Sequence, residues 1–283
     1  MRAGDARIVL TGASGGLGRA FAAALVDAGA SVMLVGRSPA RLSEQARQLS
    51  RRAGDAEDRV RWHAADLDRR VDAERLCAAA VDWKANVLVL GAGVPSFGRF
   101  DGLEADAVAA TLRTNLVSPI LLTQLMLPHL RQQPRAQIIC IGSALGSIGL
   151  PGFSVYSAGK FGLHGFAESL RRELADTPVR VQYLGPRSTR TSFNNAAVER
   201  YNAATGTAMD EPNVVAAALL RLLAEERAER FVGFPERLAV RLNAIVPAWL
   251  DGSFAKHRRS VPDALLESGA PRSGRDSGAI SSS

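Results

Sequence analysis

Short apolar runs recur along the chain, each followed by a longer stretch in which apolar positions fall every three or four residues. Residues 7–12, 31–36, 59–64, 86–93, 137–142, 179–185 and 230–234 read as strands, and most are apolar without alternation, as strands covered on both faces are. The intervening stretches read as helices. Gly29 is a natural helix stop, Ser38-Pro39 a helix entry, and Pro178 separates a long helix from the sixth run. Strand and helix alternation throughout predicts an α/β fold: one doubly wound parallel sheet of about seven strands with helices on both faces. The site is then expected at the carboxyl ends of the strands.

Two stretches break this rhythm. Residues 192–209 are polar with little regular pattern, as a substrate lid or an ordinary surface loop is. Residues 238–250 are apolar with single polar breaks and lead into the basic Lys256-His257-Arg258-Arg259. A domain over 1–234 is therefore expected to carry an arm over 235–259. That arm is read as packed over the substrate mouth or a neighbouring subunit, with an interfacial membrane helix as the alternative. Residues 260–283, biased to Gly, Ser, Pro and Arg, are expected to be a disordered tail.

A chain of 283 residues suffices for one α/β domain with a substantial core, without disulfide or metal support. Cys77 and Cys140 form no C-x-x-C pair, which fits reduced thiols. The chain enters its first strand at Arg7, which leaves no room for a signal peptide, and no run of about 18 apolar residues is present. A soluble, cytoplasmic protein is expected. The net charge of +7 and pI near 10.2 raise the question of nucleic acid, but the arginines are scattered and not interleaved with aromatics. The histidines at 63, 129, 164 and 257 have no metal-ligand spacing, so no metal is expected. Only Lys84, Lys160 and Lys256 are lysines among 35 basic residues, a hint that Lys160 is chosen as a compact ammonium.

The first run passes into Gly12-Ala-Ser14-Gly-Gly16-Leu17-Gly18 and then an alanine-rich helix. Strand, glycine turn and helix in this order allow a pyrophosphate to rest on a helix N-terminus. At the end of the second run stand Gly36-Arg37-Ser38, with no carboxylate before Glu44. A guanidinium there suits a 2′-phosphate, which a carboxylate would repel. Arg37 as an exposed helix-start residue is the alternative.

Ser143 closes the fifth run, and Tyr156 and Lys160 follow on a helix expected to begin near Phe153. Positions four apart share a helix face, so the ammonium can sit beneath the phenol. A unit charge ~4 Å away at an effective dielectric of ~20 is worth roughly 4 kcal/mol, enough to bring the phenol about three pKa units closer to working pH. Tyr-x-x-x-Lys alone is equally a helix face with a snorkelling lysine. Ser143, thirteen positions before Tyr156, changes that balance.

With its glycine turn Thr11-Gly12-x-x-x-Gly16-x-Gly18, the chain over residues 7–234 resembles the short-chain dehydrogenase/reductase (SDR) family, which implies a Rossmann fold. The resemblance implies that Tyr156 is the acid/base and that Ser143 hydrogen-bonds the substrate oxygen. It gives Lys160 the nicotinamide ribose and the tuning of Tyr156, and Asn115 a water relay. It places Gly12, Ser14, Gly16, Leu17, Gly18 and Arg37 on the cofactor, with Asp66 and Leu67 beside the adenine. Ala92, Gly93 and Thr191 complete that set, Thr191 facing the nicotinamide amide. Asp66 or Asp68 is read equally well as a cap on the next helix. Three positions depart from the pattern: Leu90 and Gly91 stand where asparagines are usual, and Arg187 where glycine is. Arg187 is expected to alter the loop path, since arginine does not share glycine's access to positive φ, and to place a cation near the nicotinamide or the substrate mouth that favours an acidic or phosphate-bearing substrate group, with a side chain turned to solvent as the alternative.

The expected function is NADP(H)-linked hydride transfer between nicotinamide and a carbonyl or secondary alcohol of an apolar molecule, in a homo-dimer or homo-tetramer. The alternative is a non-catalytic NADP(H)-binding regulator on the same fold.

Overall fold

Ile138 and Cys140 lie on one face of the fifth strand and Ile139 and Ile141 on the other, and all four are buried. A strand apolar on both faces requires a layer on each side. The computed structural model describes residues 1–53, 59–233, 240, 243 and 251–261. Among these residues seven strands form one sheet: β1 (Arg7–Thr11), β2 (Ser31–Gly36), β3 (Val60–Ala64), β4 (Val87–Leu90), β5 (Ala136–Ile141), β6 (Val179–Gly185) and β7 (Glu229–Phe231). Their order is β3-β2-β1-β4-β5-β6-β7, and every pairing is parallel. This is the expected α/β class with the expected strands.

One face is covered by α1 (Gly16–Asp27), α2 (Pro39–Ala53) and α8 (Pro212–Glu225), through residues such as Phe21, Leu42 and Leu219. The other is covered by α3 (Arg70–Asp82), α5 (Ser118–Leu130) and α6 (Ser154–Glu173), through Leu76, Leu122 and Leu163. Each such side chain contributes roughly 1.5–3 kcal/mol by leaving water. Two glutamines of the sheet are buried with these. Gln137 donates to the carbonyl of Leu223 at 3.0 Å and Gln182 to that of Leu222 at 2.8 Å, so β5 and β6 satisfy carbonyls at the end of α8.

Two features differ from the sequence expectation or add to it. The long helix before β5 is not uniform: α4 (Ala105–Leu112) and α5 are joined by a π-helical turn, Arg113–Val117. The polar stretch 192–209 is not a bare loop, since α7 (Ala196–Thr205) occupies most of it. Asn195 caps α7 by accepting from Val198 N–H at 3.0 Å, and Gly206 ends it at φ 73°. The helix buries Val198, Tyr201 and Asn202, one narrow face that a polar composition conceals.

Most of the arm expected over 235–259 lies outside the described residues, as does the tail from 262 onward. The described parts pack on the protein. Asn243 donates to the carbonyl of Ser147 at 2.8 Å, and α9 (Ala255–Arg259) sets the His257 ring 5.8 Å from that of Tyr201. No described helix is long and apolar enough to cross a membrane.

Candidate active site

At the carboxyl ends of the strands lies a cavity of about 460 Å3, within the range of small-molecule and cofactor sites. Its floor is the turn between β1 and α1. Gly12 sits at φ 70°, and a Cβ there would lie 2.6 Å from the Gly91 carbonyl oxygen. A Cβ on Gly18 would lie 2.1 Å from the Gly12 oxygen, and one on Gly16 2.5 Å from the Thr191 Cβ. The glycines thus let three segments close up beneath the N-terminus of α1, whose first N–H groups no side chain caps. That is a cradle for a phosphate group, and the residues fit a dinucleotide. Ser14, Leu17, Asp66, Leu67, Ala92 and Gly93 all line this cavity with it.

At the end of β2, Arg37 lines the cavity and is exposed, and Arg41 on α2 joins it. Ser38 accepts from Arg41 N–H at 3.4 Å, opening α2. Asp66 does not cap α3. Its carboxylate accepts from Asp68 N–H at 3.2 Å, while Asp68 accepts from Ser118 and Thr114 at 2.6 and 3.0 Å. In place of the usual asparagines after β4, the Thr11 hydroxyl accepts from Gly91 N–H at 2.9 Å and Ala92 N–H at 3.1 Å. A Cβ on Gly91 would lie 2.8 Å from the Thr11 carbonyl oxygen, so the glycine lets the main chains at the ends of β1 and β4 approach closely.

Asn115 lies in the π turn and is 1% exposed. Its Oδ1 accepts from Val94 N–H at 2.8 Å and its Nδ2 donates to the Val94 carbonyl at 2.9 Å. The extra residue per turn lets a helical side chain hold the main chain leaving β4. A Cβ on Gly93 would lie 3.2 Å from Asn115 Oδ1 and 3.7 Å from Lys160 Nζ, so asparagine and lysine meet at one glycine.

Ser143, Tyr156 and Lys160 all line the cavity. The Ser143 hydroxyl accepts from Leu145 N–H at 3.1 Å and lies near enough to the Tyr156 phenol to pull its pKa down. Lys160 is one turn below Tyr156 on α6, its Nζ 5.7 Å from the phenol ring centre and donating to the Ile141 carbonyl at 3.0 Å. The expected lowering of the Tyr156 pKa is not found. Burial pushes the phenol up to about 12, against a smaller downward pull from Ser143. Burial likewise takes Lys160 down to about 8. Loss of hydration outweighs attraction here because the ammonium is engaged by a carbonyl instead of lying against the phenol oxygen.

The wall above Tyr156 is aromatic. Phe193 and Phe153 set their ring centres 6.0 and 6.4 Å from that of Tyr156, and Tyr201 lies 5.5 Å from Phe153. Arg187 also lines the cavity but does not present an unbalanced cation. It pairs with Asp210 at 2.7 Å, with side-chain exposures of 17% and 9%. The loop after β6 runs beside the segment before α8 through a parallel bridge of Thr189 to Asp210, and Arg187 is not at positive φ. Thr191 lies over Gly16.

Three residues of this region are not singled out by sequence reasoning. Arg41 carried a signal, a second arginine in the first turn of the helix that Ser38-Pro39 opens. Tyr201 was hidden in a polar stretch, and Tyr183, inside an apolar strand, reads as ordinary core.

The short chain dehydrogenase family model matches residues 6–202. Dehydrogenase/reductase SDR family member 7B of Xenopus tropicalis is 29% identical over 258 residues, covering 86% of this chain and 82% of that protein. A short chain dehydrogenase/reductase from Burkholderia phymatum, solved in complex with NAD, superposes with a TM-score of 0.77 at 22% identity, over 88% of this chain and 96% of that one. A variant of actinorhodin polyketide ketoreductase solved with NADPH gives 0.73 at 26% identity, over 82% and 97%. The sheet order, the glycine turn and the match over most of the chain agree: this protein belongs to the short chain dehydrogenase family of oxidoreductases.

Proposed function

We propose that the protein is an NADP(H)-dependent carbonyl reductase or alcohol dehydrogenase acting on an apolar small molecule. The observation that carries this reading is the meeting of Ser143, Tyr156 and Lys160 in one cavity with the glycine cradle. A bound nicotinamide dinucleotide supplies or accepts the hydride. Tyr156 holds a proton at its phenol oxygen and gives it to the substrate oxygen during reduction. A phenol near 12 stays protonated throughout the neutral range, which suits the reductive direction. Ser143 orients the substrate oxygen against that phenol. Lys160 binds the ribose and keeps a positive charge beneath the ring below about pH 8. Asn115 retains one lone pair and one amide hydrogen beyond its two bonds to Val94, enough to hold a relay water.

The solved neighbours carry NAD in one case and NADPH in the other, so cofactor choice rests on this chain's residues. Arg37, Arg41 and the Ser38 hydroxyl offer donors to a 2′-phosphate where no carboxylate stands. The rings of Phe153, Phe193 and Tyr201 favour a cyclic, acyl or lipid-like ketone over a sugar. Exposed Val117, Leu121 and Phe161, on the π turn, α5 and α6, support a homo-oligomer. We place the catalytic unit at 1–234, with the arm after it closing the substrate mouth, in a cytoplasmic protein.

The test is NADPH and NADH oxidation by the purified protein across a panel of apolar and polar carbonyl compounds. Turnover of cyclic or long-chain ketones with NADPH is expected. Cofactor binding without turnover of any of them would refute the catalytic reading.

A further inference from the structure

Ser143 is the second residue beyond β5, and its main chain is almost fully extended at φ −162° and ψ 161°. In that conformation the N–H and the C=O of one residue point the same way. Its neighbours continue the ladder to the β6 side, Gly142 N–H reaching the Leu184 carbonyl and Ala144 N–H the Pro186 carbonyl, both at 2.8 Å. The groups of Ser143 face the other edge, and there the pairing of β4 with β5 has ended at Leu90 and Cys140. No strand serves them.

The hydroxyl of Tyr183 does. It accepts from Ser143 N–H at 3.0 Å and donates to the Ser143 carbonyl at 2.9 Å. The side chain reaches there from β6 only because two glycines make way. A Cβ on Gly142 would lie 1.9 Å from the Tyr183 ring, and one on Gly146 2.2 Å from its hydroxyl. The ring itself is 2% exposed and stacks on His164, with ring centres 4.2 Å apart at 24°. His164 is held in turn by Ser147 at 3.1 Å and Glu229 at 3.2 Å. A single phenol, fixed on its face, thus ties both main-chain groups of Ser143, taking the N–H alone and sharing the carbonyl with Gly146 N–H, which donates to it at 3.0 Å.

We infer that Tyr183 is the positioning residue for Ser143, its hydroxyl holding the serine main chain extended so that the serine hydroxyl stays on the substrate oxygen. This rests on the reading of Ser143 and Tyr156 as the working pair. A filler of the core would need the ring alone. Here the hydroxyl is the part that bonds, and the space that Gly146 leaves lies against that hydroxyl and not against the ring.

The experiment is a double-mutant cycle of Tyr183→Phe and Ser143→Ala, followed with NADPH and an active ketone. Tyr183→Phe keeps the ring and is expected to lower kcat by about thirtyfold, with KM and NADPH affinity within about twofold. In the Ser143→Ala background the same change is expected to cost less than about threefold, because the residue it acts through is gone. Independent, multiplying losses would overturn the inference while leaving the catalytic reading intact. Ser143→Ala with full turnover would refute the catalytic reading, and the inference with it. Hydrogen exchange on the unmutated chain decides the matter without a variant. The Ser143 amide, outside every strand pairing, is expected to be protected like the β5 ladder, and exchange at the rate of an open loop would overturn the proposal.

Discussion

The ammonium of Lys160 donates to the main-chain carbonyl of Ile141 at 3.0 Å, inside the protein at 5% exposure. It therefore anchors the end of β5 as well as facing the cofactor cavity. The cost shows in its pKa, lowered from 10.5 to about 8 by burial.

That shift makes stability depend on pH with an unusual sign. The unfolded chain holds the Lys160 proton up to about 10.5 and the folded chain only to about 8. The penalty is complete below pH 8 and fades as pH rises from there to 10.5. Its size is roughly 3 kcal/mol. Lys160→Met should then stabilise the protein at pH 7 by about 2 kcal/mol, after about 1 kcal/mol lost at the stranded Ile141 carbonyl. The gain should be absent by pH 10.5, and turnover should be lost throughout. Urea unfolding at both pH values checks this, and a variant less stable than the parent at pH 7 would sink it.

Tyr156→Phe removes the proton donor and little volume. Turnover should fall by a factor of about a hundred to ten thousand while NADPH affinity changes less than about twofold. Steady-state kinetics and cofactor titration measure both. Turnover within tenfold of the parent would take Tyr156 out of the mechanism.

Arg37→Asp places a carboxylate where a 2′-phosphate is expected. One guanidinium–phosphate pair at an exposed site contributes about 2 kcal/mol, so NADPH affinity should fall about thirtyfold and NADH affinity hold or rise. Arg41 beside it should lose a smaller factor when changed alone. The idea fails if the parent protein already uses NADH as well as NADPH.

Removing Arg187 leaves the Asp210 carboxylate buried without its partner. Arg187→Met should therefore destabilise by roughly 3 kcal/mol, and adding Asp210→Asn should recover most of it. Thermal or denaturant melts of the single and double variants test the pair. No recovery would mean that Asp210 is not the reason for the arginine.

Truncation after residue 250 removes α9 and the His257 contact with Tyr201. KM for apolar ketones should rise severalfold before the melting temperature falls appreciably. If liposomes retain the full chain but not the truncated one, the arm belongs on a membrane instead.

The sequence by itself determined the sheet. Uninterrupted apolar runs such as 138–142 can be covered only by two layers, and the glycines at 12, 16 and 18 have no use but close approach. The order of Ser143, Tyr156 and Lys160 along one strand end and one helix face was legible for the same reason, since these spacings are local. What the tertiary structure alone decided is how these groups are held. Lys160 bonds Ile141, nineteen positions away, so burial and not attraction governs the phenol. Asn115 clasps Val94 across 21 positions through a π turn that no hydrophobic period announces. Arg187 is neutralised by Asp210, 23 positions on, which turns an expected substrate cation into a structural pair. Tyr183 reaches Ser143 from 40 positions further along the chain, and only the two hydrogen bonds it makes there show that its hydroxyl is in use as well as its ring. Hydrogen bonds and desolvation depend on distances in space, and periodicity along a chain reports which face a residue takes but not which group it meets there.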